Sequence, residues 1–280
     1  MTTEARLPTR QLIQPDVPRF DTSGLAPATR DALAELLLTL ADDEFVVGFR
    51  DSEWTGIAPM LEEDVAFSSI AQDEIGHARV FYEMRAQLIG DDADRTAYGR
   101  QPDEYRHARL LDHPRNGWAF TITRRWLYDT ADAVRLEALA GSSFAPLAEV
   151  VAKIRREERY HLMHLDTWLG RLAGHSGSPR DKVAAALEIV LPDASSVFAP
   201  LPAEDRLLAD GILAAPMADL AARWRAQANA RLRELELREI PDTAPPADGR
   251  QRGEATVAEG FRDLWDQFTS VHRSEEGVEW

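Results

Sequence analysis

The chain has 280 residues, of which 44% are hydrophobic and 29% charged, an ordinary balance for a protein of one large or two small domains. An excess of acidic over basic residues leaves a formal charge of −16, which repels polyanions, so neither nucleic acid nor an anionic membrane is expected as a partner. The absence of cysteine excludes disulfides, iron–sulfur clusters and thiolate nucleophiles. The opening "MTTEARLPTRQLIQPDVPRF" lacks an apolar signal region, and no segment reaches the roughly 18 apolar residues of a membrane span. A soluble, cytoplasmic protein is expected.

In chain order, residues 1–26 carry three prolines and little periodicity, which predicts an extended arm. From "PATRDALAELLLTLADDEFVVGFRDSEW" the pattern turns helical, with Leu33, Leu37, Leu40, Glu44 and Val47 on one face. After a break at 56–59, a second stripe runs through Phe67, Ile70, Glu74, His77, Phe81, Met84 and Leu88. "LIGDDADRTAYGRQPDE" reads as a loop or a short irregular connection. A third stripe holds Ala119, Ile122, Trp126, Asp129, Ala133, Leu136 and Ala140, and a fourth Leu147, Val151, Ile154, Glu158, His161, Leu165, Trp168 and Leu172. Accessory helices are expected over 181–236, a loop over 241–256 and a last amphipathic helix over 257–269. The expected fold is all-α: a single domain with its four-helix bundle over 30–172 and additional C-terminal helices.

Each stripe is interrupted near its middle by residues that resist burial: Glu44; Glu74 with His77; Asp129; Glu158 with His161. Four ionised carboxylates converging in a dry interior repel one another and lose hydration, at several kcal/mol or more each. Two divalent metal ions balance the four charges. Residues three apart on a helix project to one side, so E-x-x-H can give one oxygen and one nitrogen to a single ion. Two such segments and two further carboxylates form the ligand set of ferritin-like di-metal proteins. A lone E-x-x-H is commonly a surface salt bridge; two of them at core positions, alternating with two buried carboxylates, are far more specific. The ligands alone do not separate iron from manganese or zinc.

Two register alternatives stay open. Asp73 lies four before His77 and Glu157 four before His161, although the stripe spacing favours Glu74 and Glu158. His164 reads as surface or core rather than a ligand neighbour. Tyr82, Tyr128 and Tyr160 read as buried rings with wet hydroxyls. His107, His113 and His175 are expected to face solvent, and the pairs Asp42–Asp43 and Glu62–Glu63 to lie on solvated helix surface.

The segments "DEFVVGFRDSEW", "AQDEIGHA", "WLYDTADAV" and "KIRREERYH" resemble, in order and separation, those of the A and C subunits of bacterial phenylacetyl-CoA epoxidase, the multicomponent ring-oxygenase of aerobic phenylacetate breakdown. The resemblance covers residues 35–170, and the terminal "EW" is similar to the C subunit. It implies Glu44, Glu74, His77, Asp129, Glu158 and His161 as ligands of two iron ions, with manganese as the alternative, and no catalytic residue beyond them. It also implies related ferritin-like subunits as oligomeric partners, a separate flavin/iron–sulfur reductase, and epoxidation of a CoA-linked ring with O2. With neither cysteine nor a dinucleotide fingerprint, the chain depends on such a partner for electrons. The acidic "LEEDVAFSSIA" stands where the A subunit has basic residues for CoA recognition, and with "SEWTGIAPMLEED" it is similar to the C subunit. The acyl-CoA would then sit on a sister subunit. That C-type subunit often lacks a complete ligand set, whereas all six positions are filled here. Two roles follow: a di-iron monooxygenase component, or a structural C-type subunit supporting a catalytic sister. A ferritin-like iron-oxidising cage is disfavoured by the chain's length.

Overall fold

Four long helices take up the four stripes in the computed structural model, which describes residues 17–174, 176–242 and 259–274. Helix α1 (Pro27–Ser52) opens with proline in its first turn, where the missing N–H has no helical partner to lose. Helix α2 (Leu61–Ile89) stops at Gly90, whose φ of 72° places it in the left-handed region, with its N–H bonded to Ala86 O at 2.8 Å. A long crossover follows. It holds the short helix α3 (Ala93–Tyr98), where an irregular connection is expected from the sequence, and single 3-10 turns at Pro102–Glu104 and Arg109–Leu111. Asp92 caps α3 by accepting from Arg95 N at 2.8 Å. Helices α4 (Trp118–Leu139) and α5 (Ala145–Gly174) form a second antiparallel hairpin. Two hairpins joined by one long crossover define an all-α, ferritin-like bundle. Among the described residues there is no strand and no helix long and apolar enough to cross a membrane.

The remaining helices sheathe this bundle. Helix α6 (Ser178–Ala194) packs on α4 and α5, α7 (Glu204–Ala209) on α1, and α8 (Met217–Glu234) on α4. Trp224 of α8 is buried beside Phe198, 5.5 Å between ring centroids, and donates to Thr130 Oγ1 at 2.9 Å. Helix α9 (Glu259–Ser274) buries Phe261, Leu264, Trp265 and Phe268, the spacing of one helix face. Phe268 packs edge-on against Phe45 and tilted against Phe49, with ring centroids 5.0 and 5.1 Å apart, and Arg50 donates to Gly260 O at 2.6 Å. Covered in this way, α1 is buried around nearly its whole circumference.

That burial corrects several sequence expectations. Asp42 and Asp43 are fully buried instead of solvated. Asp42 accepts from Tyr82 Oη at 2.6 Å and from the Arg100 guanidinium; Asp43 accepts from Ala108 N at 2.7 Å and from Arg135. The hydroxyls of Tyr82 and Tyr128 are therefore dry, while Tyr160 is exposed. His107 is buried against Phe261 and bonded to Asp112 at 2.7 Å, and half-buried His113 pairs with Asp193 at 3.0 Å. Glu63 is buried with His164 at 2.9 Å, whereas Glu62 is exposed. His175 and most of the 1–26 and 241–256 segments lie outside the described residues.

The spacing of α1 and α2 depends on Gly48. A Cβ placed there would stand 2.8 Å from Ile75 Cγ1, 3.1 Å from Ala71 O and 3.1 Å from Glu74 Cβ. The absent methyl lets the turn of α2 that carries Glu74 close onto α1, one turn from Glu44. Gly48→Ala gains about 1 kcal/mol of helix propensity but meets an overpacking cost of about 1–3 kcal/mol. A net loss of stability is expected in urea unfolding; a stabilised variant would show that the two helices can part without strain.

Candidate metal centre

Glu44 of α1, Glu74 and His77 of α2, Asp129 of α4, and Glu158 and His161 of α5 all point between the two hairpins, each less than a tenth exposed. Glu44, Glu74, His77 and Glu158 each bring one donor atom into a group whose atoms lie within 4.8 Å of one another. His77 Nδ1 stands 3.7 Å from Glu44 Oε2, 3.6 Å from Glu74 Oε2 and 3.3 Å from Glu158 Oε1. Three of these buried atoms, Glu44 Oε2, Glu74 Oε2 and His77 Nδ1, have no hydrogen-bond partner. His161 Nδ1 lies 3.1 Å from Glu158 Oε1 and 3.3 Å from Glu74 Oε1.

The two residues left open by register take the outer positions. Glu157 Oε2 meets His77 Nε2 at 2.8 Å, and Asp73 Oδ2 meets His161 Nε2 at 3.2 Å. Their side chains are 40% and 45% exposed, against 0% for Glu74 and 8% for Glu158. Each imidazole thus has one nitrogen turned inward and the other held by a carboxylate of the opposite helix. Metal-bound histidines are oriented in the same way.

Asp129 is drawn elsewhere. Arg125, completely buried one turn earlier on α4, lies 3.1 Å from Asp129 Oδ1, 2.6 Å from Glu74 Oε1 and 3.2 Å from Asp51 Oδ2. A second layer repeats the pattern: Arg135 binds Asp43 and Asp132, and Tyr128 Oη donates to Glu44 Oε1 at 3.3 Å. Arg125 is not a ligand type and Asp51 lies two turns beyond Glu44, so neither stands out in the sequence, yet both lie in register. Arg125 is three after Ile122 and four before Asp129, and Asp51 is seven after Glu44.

Burial pushes the Glu44 carboxyl well above its usual range, helped by the charge of Glu74. Burial works on Glu74 too, but Arg125 and the histidines outweigh it and hold this carboxyl well below. Asp129 is raised by burial despite Arg125, and Asp51 is pushed up to about 6 by burial. Burial disfavours charge on both histidines, yet their carboxylate partners prevail: Glu157 and then Glu158 raise His77, and Asp73 and then Glu158 raise His161 to about 12.

The donors fit one metal ion. Three carboxylates and an imidazole suit a divalent first-row cation, and bonds of about 2.1 Å would span about 4.2 Å across the ion, slightly tighter than the present cage. They do not fit a second one as arranged, because Arg125 takes up Glu74 Oε1 and Asp129. Among the described residues, openings reach the cluster from two directions. A recess of about 150 Å³ reaches His77 between α2 and α5. A cleft of about 450 Å³ between α4, α5 and α8 reaches Glu158 past Arg155, Arg156 and Arg159.

The sequence profile described as phenylacetic acid catabolic protein matches residues 20–280, and the chain belongs to that family. Within it, the chain is 30% identical to the C subunit of 1,2-phenylacetyl-CoA epoxidase from Escherichia coli (strain K12) over 222 residues, covering 79% of this chain and 89% of that one. It is 29% identical to the A subunit of the same epoxidase over 135 residues, 48% of this chain and 43% of the relative.

The raised His161 gives the metal-free protein a pH signature. A histidine whose folded pKa exceeds its unfolded one stabilises below about 6.5, and that contribution is lost as pH rises toward about 12. Between pH 7 and 9, metal-free wild type is expected to lose about 2 kcal/mol more stability than His161→Gln. Denaturant titrations at both pH values check this; parallel losses would place no extra proton on His161.

Proposed function

We propose that the chain is a C-type subunit of a phenylacetyl-CoA-epoxidase-type monooxygenase, a single ferritin-like unit supporting a catalytic sister subunit. The sister would bind the acyl-CoA and draw electrons from a separate flavin/iron–sulfur reductase. The observation that carries this reading is Arg125. Its guanidinium meets Glu74, Asp129 and Asp51 inside the cluster, so the protein itself supplies positive charge where an oxygen-activating metal pair would need its second ion. The lengths of the alignments support the same choice, 89% of the epoxidase's C subunit but 43% of its A subunit.

A metal bound by Glu44, Glu74, His77 and Glu158 would supply Lewis-acid or one-electron redox chemistry there. The chain's own groups serve to orient and exclude. Glu157 and Asp73 hold the two imidazoles from outside, Tyr128 fixes one oxygen of Glu44, and Phe81, Leu40 and Val47 are fully buried on the same helices. The recess beside His77, about 150 Å³, is well below the roughly 300–1,000 Å³ of small-molecule clefts.

A di-iron oxygenase component is the second reading. It is favoured by the cleft of about 450 Å³ that reaches Glu158, a volume within that range. It requires Arg125 to leave Glu74 and Asp129.

Reconstitution with sister subunits and reductase separates the two roles. With Glu74→Gln/His77→Gln in this chain, phenylacetyl-CoA turnover is expected to stay within about twofold of wild type while the variant still co-elutes with the complex. Loss of turnover in an intact assembly would establish the oxygenase role instead.

A further inference from the structure

The two oxygens of Glu74 face different partners. Oε1 accepts from Arg125 at 2.6 Å, whereas Oε2 is buried with no hydrogen bond and turned toward His77 Nδ1. Glu44 Oε2 and His77 Nδ1 are equally unbonded. They face one another across one point: His77 Nδ1 stands 3.7 Å from Glu44 Oε2, 3.6 Å from Glu74 Oε2 and 3.3 Å from Glu158 Oε1, and the four donors converge within 4.8 Å, as around a single ion. Glu157 on the far nitrogen of His77 completes the arrangement found behind metal-bound imidazoles.

The opposite half also has buried atoms without hydrogen bonds, Asp51 Oδ1 and Oδ2, Asp129 Oδ1 and Arg125 Nη1, but there a cation of the protein already stands among the carboxylates. The Arg125 guanidinium spans Glu74, Asp129 and Asp51, is fully buried, and lies with Cζ 5.9 Å from the Tyr128 ring. An ion about 2.1 Å from Glu74 Oε1 would stand within about 5 Å of the guanidinium nitrogen that lies 2.6 Å from the same oxygen, where two cations repel by several kcal/mol even at an effective dielectric of about 20. Arginine cannot relieve the conflict by losing a proton.

The structure assigns to this chain a single-ion centre: one divalent first-row transition ion held by Glu44, Glu74, His77 and Glu158, with Arg125 as a permanent cation in the second position. Oxygen and imidazole donors without sulfur suit Mn(II), Fe(II) or Zn(II). A guanidinium can neither change valence nor offer an open coordination site, so with Mn(II) or Fe(II) the cluster would hold half the redox capacity of a metal pair, and with Zn(II) none. The inference concerns the cluster on which the proposed function rests, but its readout is a metal count on the chain alone, independent of turnover by the complex.

The full-length chain, stripped of metal, is titrated anaerobically with Mn(II). Bound ion is counted after desalting and its magnetic signal recorded. Wild type is expected to hold one Mn(II) per chain with the signal of an isolated ion, and His77→Gln to lose it. Arg125→Lys, which keeps the cation, is expected to hold one, and Arg125→Ala to hold two with a coupled signal. Two ions or none in wild type would overturn the inference, as would one ion in a folded Arg125→Ala. Should that variant fail to fold, the wild-type count and the Lys variant still decide.

Discussion

The interior depends on how buried negative charge is closed. Glu44, Asp51, Glu74, Asp129 and Glu158 share a space that water hardly reaches, and in such surroundings an unpaired carboxylate is among the costliest groups a protein can contain. Arg125 answers three of them at once from the middle of α4, and the two histidines bridge the rest. Arg135 does the same for Asp43 and Asp132 one layer away, and Arg100 for Asp42 at the edge. The bundle is therefore held by acid–arginine ties as well as by its leucines. Because breaking such a tie leaves a bare buried charge, each partner is tightly constrained once the other is present.

Those ties need helices at the right separation. Gly48 lets α2 lean against α1 at Glu74, and the antiparallel hairpins bring α4 and α5 across to meet them. The sheath formed by α6, α8 and α9 explains why so many polar groups are dry. Without α9, Phe45 and Phe49 would lose Phe268, and Arg50 its bond to Gly260. Packing outside the bundle thus sets the dielectric within it, and the dielectric sets the worth of each ion pair.

Much of this architecture was legible from periodicity. Glu74 and His77, like Glu158 and His161, stand where leucines would be expected, and period-3.6 spacing suffices to place all six candidate ligands on inward faces. What periodicity hides is the partner. Arg125 sits on the same inward face, but arginine is ordinarily a surface residue, and nothing local says that Glu74, 51 residues away, will receive it. Asp42 and Asp43 look like a solvated pair because Arg100 and Arg135, which neutralise them, lie 58 and 92 residues further on. The crossed pairing of Asp73 with His161 and Glu157 with His77 is likewise a property of two helices together. Spacing along either one leaves that choice open.

On the proposed reading, the protein's own guanidinium occupies half of a cluster that would otherwise hold metal. Anomalous diffraction at the manganese edge, from crystals soaked in Mn(II), tests it most directly. One peak among Glu44, Glu74, His77 and Glu158, with Arg125 still on Asp129, is the predicted result. Two peaks, with Arg125 swung away from Glu74, would contradict it.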